Sequence, residues 1–136
     1  MRILGVDYGT KRMGIAVSDE LGVIALPLEY IPSEPFPAFL DRFQEILETK
    51  GVELIIVGMP RNMDGSYGPA AANVEAFVAA LRRALAIPVK TWDERLTTRE
   101  ANRVLIEAGV RRAQRKETVD KMAAAILLQC YLDSLI

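Results

Sequence analysis

Apolar residues fall along this chain in short unbroken runs and in longer stretches at helical spacing. Residues 2–7 and 13–17 are runs of the first kind, and the turn between them contains Gly9, which predicts two strands of a hairpin. Residues 21–31, rich in Val, Ile, Leu and Tyr and broken by Pro27, predict a third strand near a sheet edge, because proline cannot donate to a ladder. Beyond the prolines at 32, 35 and 37, the residues Phe39, Leu40, Phe43, Ile46 and Leu47 recur at helical spacing up to Lys50 and Gly51. Residues 52–57 are almost wholly apolar, as suits a parallel strand covered on both faces. The following stretch, 58–68, is built from Gly, Pro, Asn and Asp and is long enough for a functional loop.

A second helix is predicted over residues 71–85 by Val74, Phe77, Val78, Leu81 and Leu85, with Pro88 as its stop and a strand over 89–92. Thr97 and Glu100 have capping-box spacing ahead of Ala101, Val104, Leu105 and Ala108, and Gly109 ends that helix. Val119, Met122, Ala123, Ile126, Leu127 and Cys130 share one broad face, which predicts an amphipathic helix over 119–135. The order is then β, β, β, α, β, α, β, α, α. Helical crossovers between the later strands require parallel pairing, so the pattern is an α/β fold on a mixed sheet. With 136 residues, half of them apolar, one domain over 1–136 is expected.

Composition narrows the chemistry. Histidine is absent, which removes imidazole-based triads, histidine-ligated zinc and histidine general bases. Cys130 is the only cysteine, so neither an internal disulfide nor a cysteine-rich zinc site can form. No apolar run approaches the length of a membrane span or a signal segment, and a cytoplasmic location without membrane partners is expected. The net charge of −1 is unevenly spread: residues 1–81 hold 6 basic and 11 acidic groups, residues 82–136 hold 11 basic and 7 acidic. The second part could carry a phosphate-facing surface or solvated helix faces.

Carboxylates stand where such sheets place their crevice, beyond the carboxyl ends of strands. Asp7 ends the first strand beside Lys11 and Arg12, as a ligand next to phosphate-binding cations or as a turn aspartate bonded to its own backbone. Asp93 and Glu94 follow the last strand on opposite sides, so one at most faces the same site as Asp7; the other reading is an ion pair with Arg95 or Arg99. Asp120 falls in the first turn of the last predicted helix, where a carboxylate also meets the helix dipole favourably. Together such groups suit one or two Mg²⁺ or Mn²⁺ ions, which can hydrolyse a phosphodiester without histidine. Lys11, Arg12, Arg61 and Arg95 would hold backbone phosphates. Asp7, Gly9 and Thr10 resemble the phosphate loop of the actin, sugar-kinase and heat-shock ATPases, which need two such domains around a nucleotide. The order Gly9, Thr10, Lys11 also departs from the P-loop pattern.

Four stretches in order, GVDYGTKRMGIAVSD at 5–19, VGMPRNMDGS at 57–66, WDERLTT at 92–98 and VDKMAAAILLQCYLD at 119–133, resemble the YqgF (RuvX) family over nearly the whole chain. Its members are described both as Holliday-junction-resolvase-like proteins and as the nuclease that matures pre-16S ribosomal RNA. The resemblance implies a ribonuclease H-like fold with five strands in order 3-2-1-4-5. It also implies an acidic metal site on Asp7, Glu94 and Asp120, and so favours Glu94 over Asp93. The expected function is a Mg²⁺- or Mn²⁺-dependent nuclease processing the 5′ end of 16S ribosomal RNA, with nucleic acid or ribosomal precursor particles as partners. A junction resolvase, which needs a dimer, and a binding module without turnover are the alternatives; monomer and homodimer both remain open.

Overall fold

The computed structural model describes residues 1–62, 64–94 and 112–135, with side chains throughout except over 112–121. Five strands form one sheet: β1 (Arg2–Asp7), β2 (Arg12–Ser18), β3 (Ala25–Pro32), β4 (Val52–Met59) and β5 (Val89–Asp93). Their order is β3-β2-β1-β4-β5, the order expected from the family resemblance. The first three strands pair antiparallel, and β1 pairs parallel with β4 and β4 with β5. Helices α1 (Phe36–Lys50) and α2 (Pro69–Ala84) supply the crossovers, and α3 (Arg112–Ser134) follows the last strand. The helix expected over 101–108 lies outside the described residues.

Strand alternation sends side chains to two different cores. Leu4, Val6, Ile15, Ile55 and Val57 pack with Phe39, Phe43, Phe77 and Leu81 beneath α1 and α2. Ile3, Ala16, Leu54 and Ile56 pack with Ala124, Ala125, Leu127 and Leu128 of α3. A helix layer therefore covers each face of the sheet.

α3 can lie close because the sheet presents glycines to it. A Cβ on Gly5 would stand 2.9 Å from the Leu128 Cβ and 3.3 Å from the Ala124 carbonyl oxygen. One on Gly58 would stand 2.3 Å from Leu127 Cδ1. Gln129 ties α3 to the edge strand, its amide accepting from the Ala25 N–H at 2.9 Å and donating to the Val23 carbonyl at 2.9 Å.

Some element bounds differ from those the sequence predicts. The third strand begins at Ala25 rather than 21 because the Asp19 carboxylate takes the N–H groups of Val23 and Ile24, and Gly22 turns the chain at φ 70°. Those backbone bonds also hold the Asp19 carboxyl below its ordinary pKa. α2 begins two residues early, at Pro69, whose fixed φ and missing N–H suit a first turn. α3 begins at Arg112, seven residues before the predicted start, through a polar segment with no apolar period to mark it. Pro27 does lie on an edge strand.

Candidate active site

Asp7 is the last residue of β1, and its orientation is fixed by its neighbours. Val6 and Tyr8 belong to the α1/α2 side, where Tyr8 packs on Phe77 with ring centroids 5.3 Å apart. Asp7 consequently faces α3. The turn after it is pinned from β3: Ser33 donates its hydroxyl to the Gly9 carbonyl at 2.6 Å and its N–H to the Lys11 carbonyl at 2.9 Å. Gly9 is required there, since a Cβ would meet the Arg12 carbonyl oxygen at 2.2 Å.

The choice between Asp93 and Glu94 is resolved by the same alternation. Trp92 joins the α3 core and meets Tyr131 edge-on at 5.5 Å. Asp93 then points away and pairs with Arg61 at 3.6 Å, while Glu94 returns to the side of Asp7. The Glu94 and Asp7 carboxyls are hydrogen-bonded to each other. Burial first, and then the charge and hydrogen bond of Asp7, push the Glu94 carboxyl up to about 7 from its ordinary 4.5. Gly58 leaves room for the pair, for a Cβ there would lie 3.6 Å from Glu94 Oε1.

A cavity opens on either side of these carboxylates. One of about 210 Å³ lies toward α2 and is bounded by Gly9, Thr10, Gly58, Asn73 and Glu94. The other, about 240 Å³, lies toward β3 and is bounded by Asp7, Gly14, Tyr30, Ala124 and Ala125. Both open directly onto a carboxylate of the pair.

Asp120 stands in α3 one turn before Ala124, and its side chain lies outside the described residues, as does Arg95. Lys11 is exposed in the turn beside Asp7. Arg12 stacks over the Tyr30 ring, 4.2 Å from its centroid. Arg61 serves its own loop: its guanidinium donates to the Gly65 carbonyl, lies 4.7 Å from the Tyr67 ring centroid and pairs with Asp93. Sequence reasoning passed over Tyr30 and Gly14. A glycine inside the strand pattern of 13–17 was the available signal, since strand glycines mark close approaches and gaps.

Two crowded carboxylates raise the local negative charge once both are ionised, and oxygen donors of this kind suit a hard divalent cation. Among the described residues no group of three or more acidic, cysteine or histidine side chains gathers. The pair fits such an ion without completing its coordination. No helix among the described residues is long and apolar enough to cross a membrane.

The antiparallel-then-parallel sheet with acids at its strand ends defines the class: a ribonuclease H-like fold of the kind found in junction resolvases. The Thermus thermophilus RuvC structure superposes with a TM-score of 0.54 at 17% identity over 93% of this chain and 92% of that one. T. thermophilus RuvC in complex with a Holliday junction substrate gives a TM-score of 0.52 at 21% identity, covering 93% and 91%. Among sequence relatives, a Geobacillus kaustophilus protein named "Putative pre-16S rRNA nuclease" is 51% identical over 98% of this chain and 99% of its own. The profile of the family described as RuvX, Holliday junction resolvase, matches residues 1–134. The chain belongs to the RuvX family.

Proposed function

We propose that this protein is a metal-dependent nuclease that hydrolyses phosphodiester bonds and processes the 5′ end of pre-16S ribosomal RNA. The observation that carries this reading is the contact between Asp7 and Glu94, two carboxyls from distant strand ends brought together with one of them raised to about 7. Family membership and the names of relatives about half identical to it supply the substrate. Asp120 is the third ligand in this reading, supported by its place one turn before Ala124, which lines the cavity beside Asp7.

Asp7, Glu94 and Asp120 would hold Mg²⁺ or Mn²⁺, two ions in the complete site. When bound, these supply water activation and stabilisation of the attacking and leaving oxygens. The protein's own contribution is position. Tyr8 locks the direction of Asp7, Gly58 clears space for Glu94, and Lys11 stands in the turn where a backbone phosphate would approach. Arg12 and Arg95 extend that basic edge in this reading, whereas the bonds of Arg61 to Gly65 and Asp93 support a role in holding the 58–68 loop.

The likeness to RuvC favours one second reading, resolution of a four-way junction, which requires two sites in a symmetric dimer. Both readings are tested by cleavage of a labelled 16S precursor end, single-stranded DNA and a four-way junction, with Mg²⁺, Mn²⁺ or chelator. Metal-dependent cutting is expected in the wild type and is expected to fall on the order of 1,000-fold in a folded Asp7→Asn variant. The substrate cut fastest chooses between RNA processing and resolution. Equal cutting by the variant, or none by the wild type, would sink the carboxylate site and leave a nucleic-acid-binding module.

A further inference from the structure

Tyr30, Gly14 and Asp7 form one lateral row across three strands, Tyr30 opposite Gly14 and Gly14 opposite Asp7. Residues in such a row point to the same face, here toward α3, with neighbouring strands about 4.8 Å apart. Because the middle member has no side chain, a gap is left between the aromatic ring and the carboxylate. Ala124 and Ala125 are too small to fill it from above. That gap is the carboxylate end of the cavity of about 240 Å³, which runs on along the edge strand past Pro27, Leu28 and Glu29.

Its walls have a definite chemistry. Tyr30 is 40% exposed, and the Arg12 guanidinium lies 4.2 Å from its ring centroid, so a flat cation and a flat aromatic ring stand together at the mouth. Glu29, the acidic residue on the same strand, is neutralised by Arg42, which bonds both its carboxylate oxygens and lowers its pKa. The cavity is smaller than the pockets that take drug-sized ligands and suits one flat ring. Unstacked bases of single strands are bound on aromatic rings and guanidinium planes, whereas paired bases have no free face to offer.

We infer that this cavity receives one unpaired nucleobase beside the phosphate presented to Asp7, with Tyr30 as its stacking surface and Arg12 fixing the ring. Substrate choice by this protein is then set by strandedness next to the cut rather than by base sequence, because every base has a π face. The inference rests on the nuclease reading for where the phosphate lies, yet base binding itself needs no turnover.

The test is fluorescence anisotropy in chelator, so that nothing is cut, with a labelled short oligouridylate, the same strand containing one abasic residue, and a fully paired duplex. Tyr30→Leu is expected to weaken the intact single strand about 10-fold while leaving the duplex unchanged, and Tyr30→Phe to restore wild-type affinity. On the abasic strand the difference between wild type and Tyr30→Leu shrinks. Gly14→Ala places a methyl 3.4 Å from the Tyr30 ring, 3.5 Å from the Asp7 Cβ and 3.6 Å from the Ala124 Cβ, which closes the carboxylate end of the cavity in ordinary contact. It is expected to weaken the single strand in the same way. If both variants remain folded by circular dichroism and bind the single strand as the wild type does, the inference is wrong, whatever the cleavage assay shows. A Tyr30-dependent loss of binding in a protein that cuts nothing would keep the base site and remove the nuclease reading.

Discussion

The two faces of the sheet are built from different residues for different ends. Under α1 and α2 the contacts are made by large side chains, with Phe39 stacked on Phe43 at 5.2 Å and set edge-on to Phe77 at 5.6 Å. Under α3, aliphatic residues such as Ile56 and Leu128 are interspersed with the small Gly5, Ala16, Gly58, Ala124 and Ala125, and both carboxylates of the pair sit at that face. Large residues fill space and add stability through burial. Small residues let a helix backbone approach the sheet and leave gaps that a ligand can use. One sheet therefore separates the demands of folding from those of the site, and that separation can be broken experimentally.

The largest effect is expected on the filled face. Phe43 is fully buried, and Phe43→Ala should cost about 3–5 kcal/mol in denaturant unfolding through lost burial and the cavity left behind. Cleavage per folded molecule should be unchanged; a parallel loss of activity would show that the faces are not separate. On the other face, Gly5→Ala forces its new methyl against the Leu128 Cβ at 2.9 Å and should cost about 1–3 kcal/mol. Here activity should fall further than stability, because α3 shifts relative to Asp7. If melting shifts while cleavage per folded molecule holds, the close approach of α3 matters only for packing.

The smallest effect concerns charge. The Glu94 carboxyl is raised from 4.5 to about 7 on folding, so in this window the native state holds a proton that the unfolded chain has lost. Its contribution to stability is complete below about pH 4.5, declines as pH rises, and is gone above about 7. Glu94→Gln removes the titration. Discounted for partial exposure, the stability of the wild type relative to that variant should fall by about 1 kcal/mol between pH 4.5 and 8 in chelator. Thermal unfolding of both across that range is the measurement, and a constant difference would mean that neither burial nor Asp7 raises the Glu94 carboxyl.

Much of this arrangement is legible in the amino-acid order, because strand runs and helical spacing are local signals. The short apolar runs place β1, β4 and β5 nearly to the residue, and Asp7 stands visibly at a strand end. What local signals could not supply was which face each strand turns to which partner. Asp93 and Glu94 look equivalent in sequence, and the choice depends on Trp92 packing against Tyr131, thirty-nine positions away. Arg61 reads as a phosphate-binding cation in sequence, and its bonds to the carbonyl of Gly65 and the carboxylate of Asp93 become visible only in the fold. Tyr30 sits unremarked in a strand, since its row with Gly14 and Asp7 exists only once three strands are in register. The family resemblance gave strand order and named Glu94, which periodicity alone left open.

All five strands precede α3 in the chain, and among the described residues only α3 covers the face to which Asp7 points. During synthesis the sheet and its aromatic core can therefore form while that face is still bare. The roof over the carboxylates, clamped to the edge strand by Gln129, arrives after everything it covers. A ribosome making this protein therefore delivers Asp7 and Glu94 before the helix that covers them and brings Asp120.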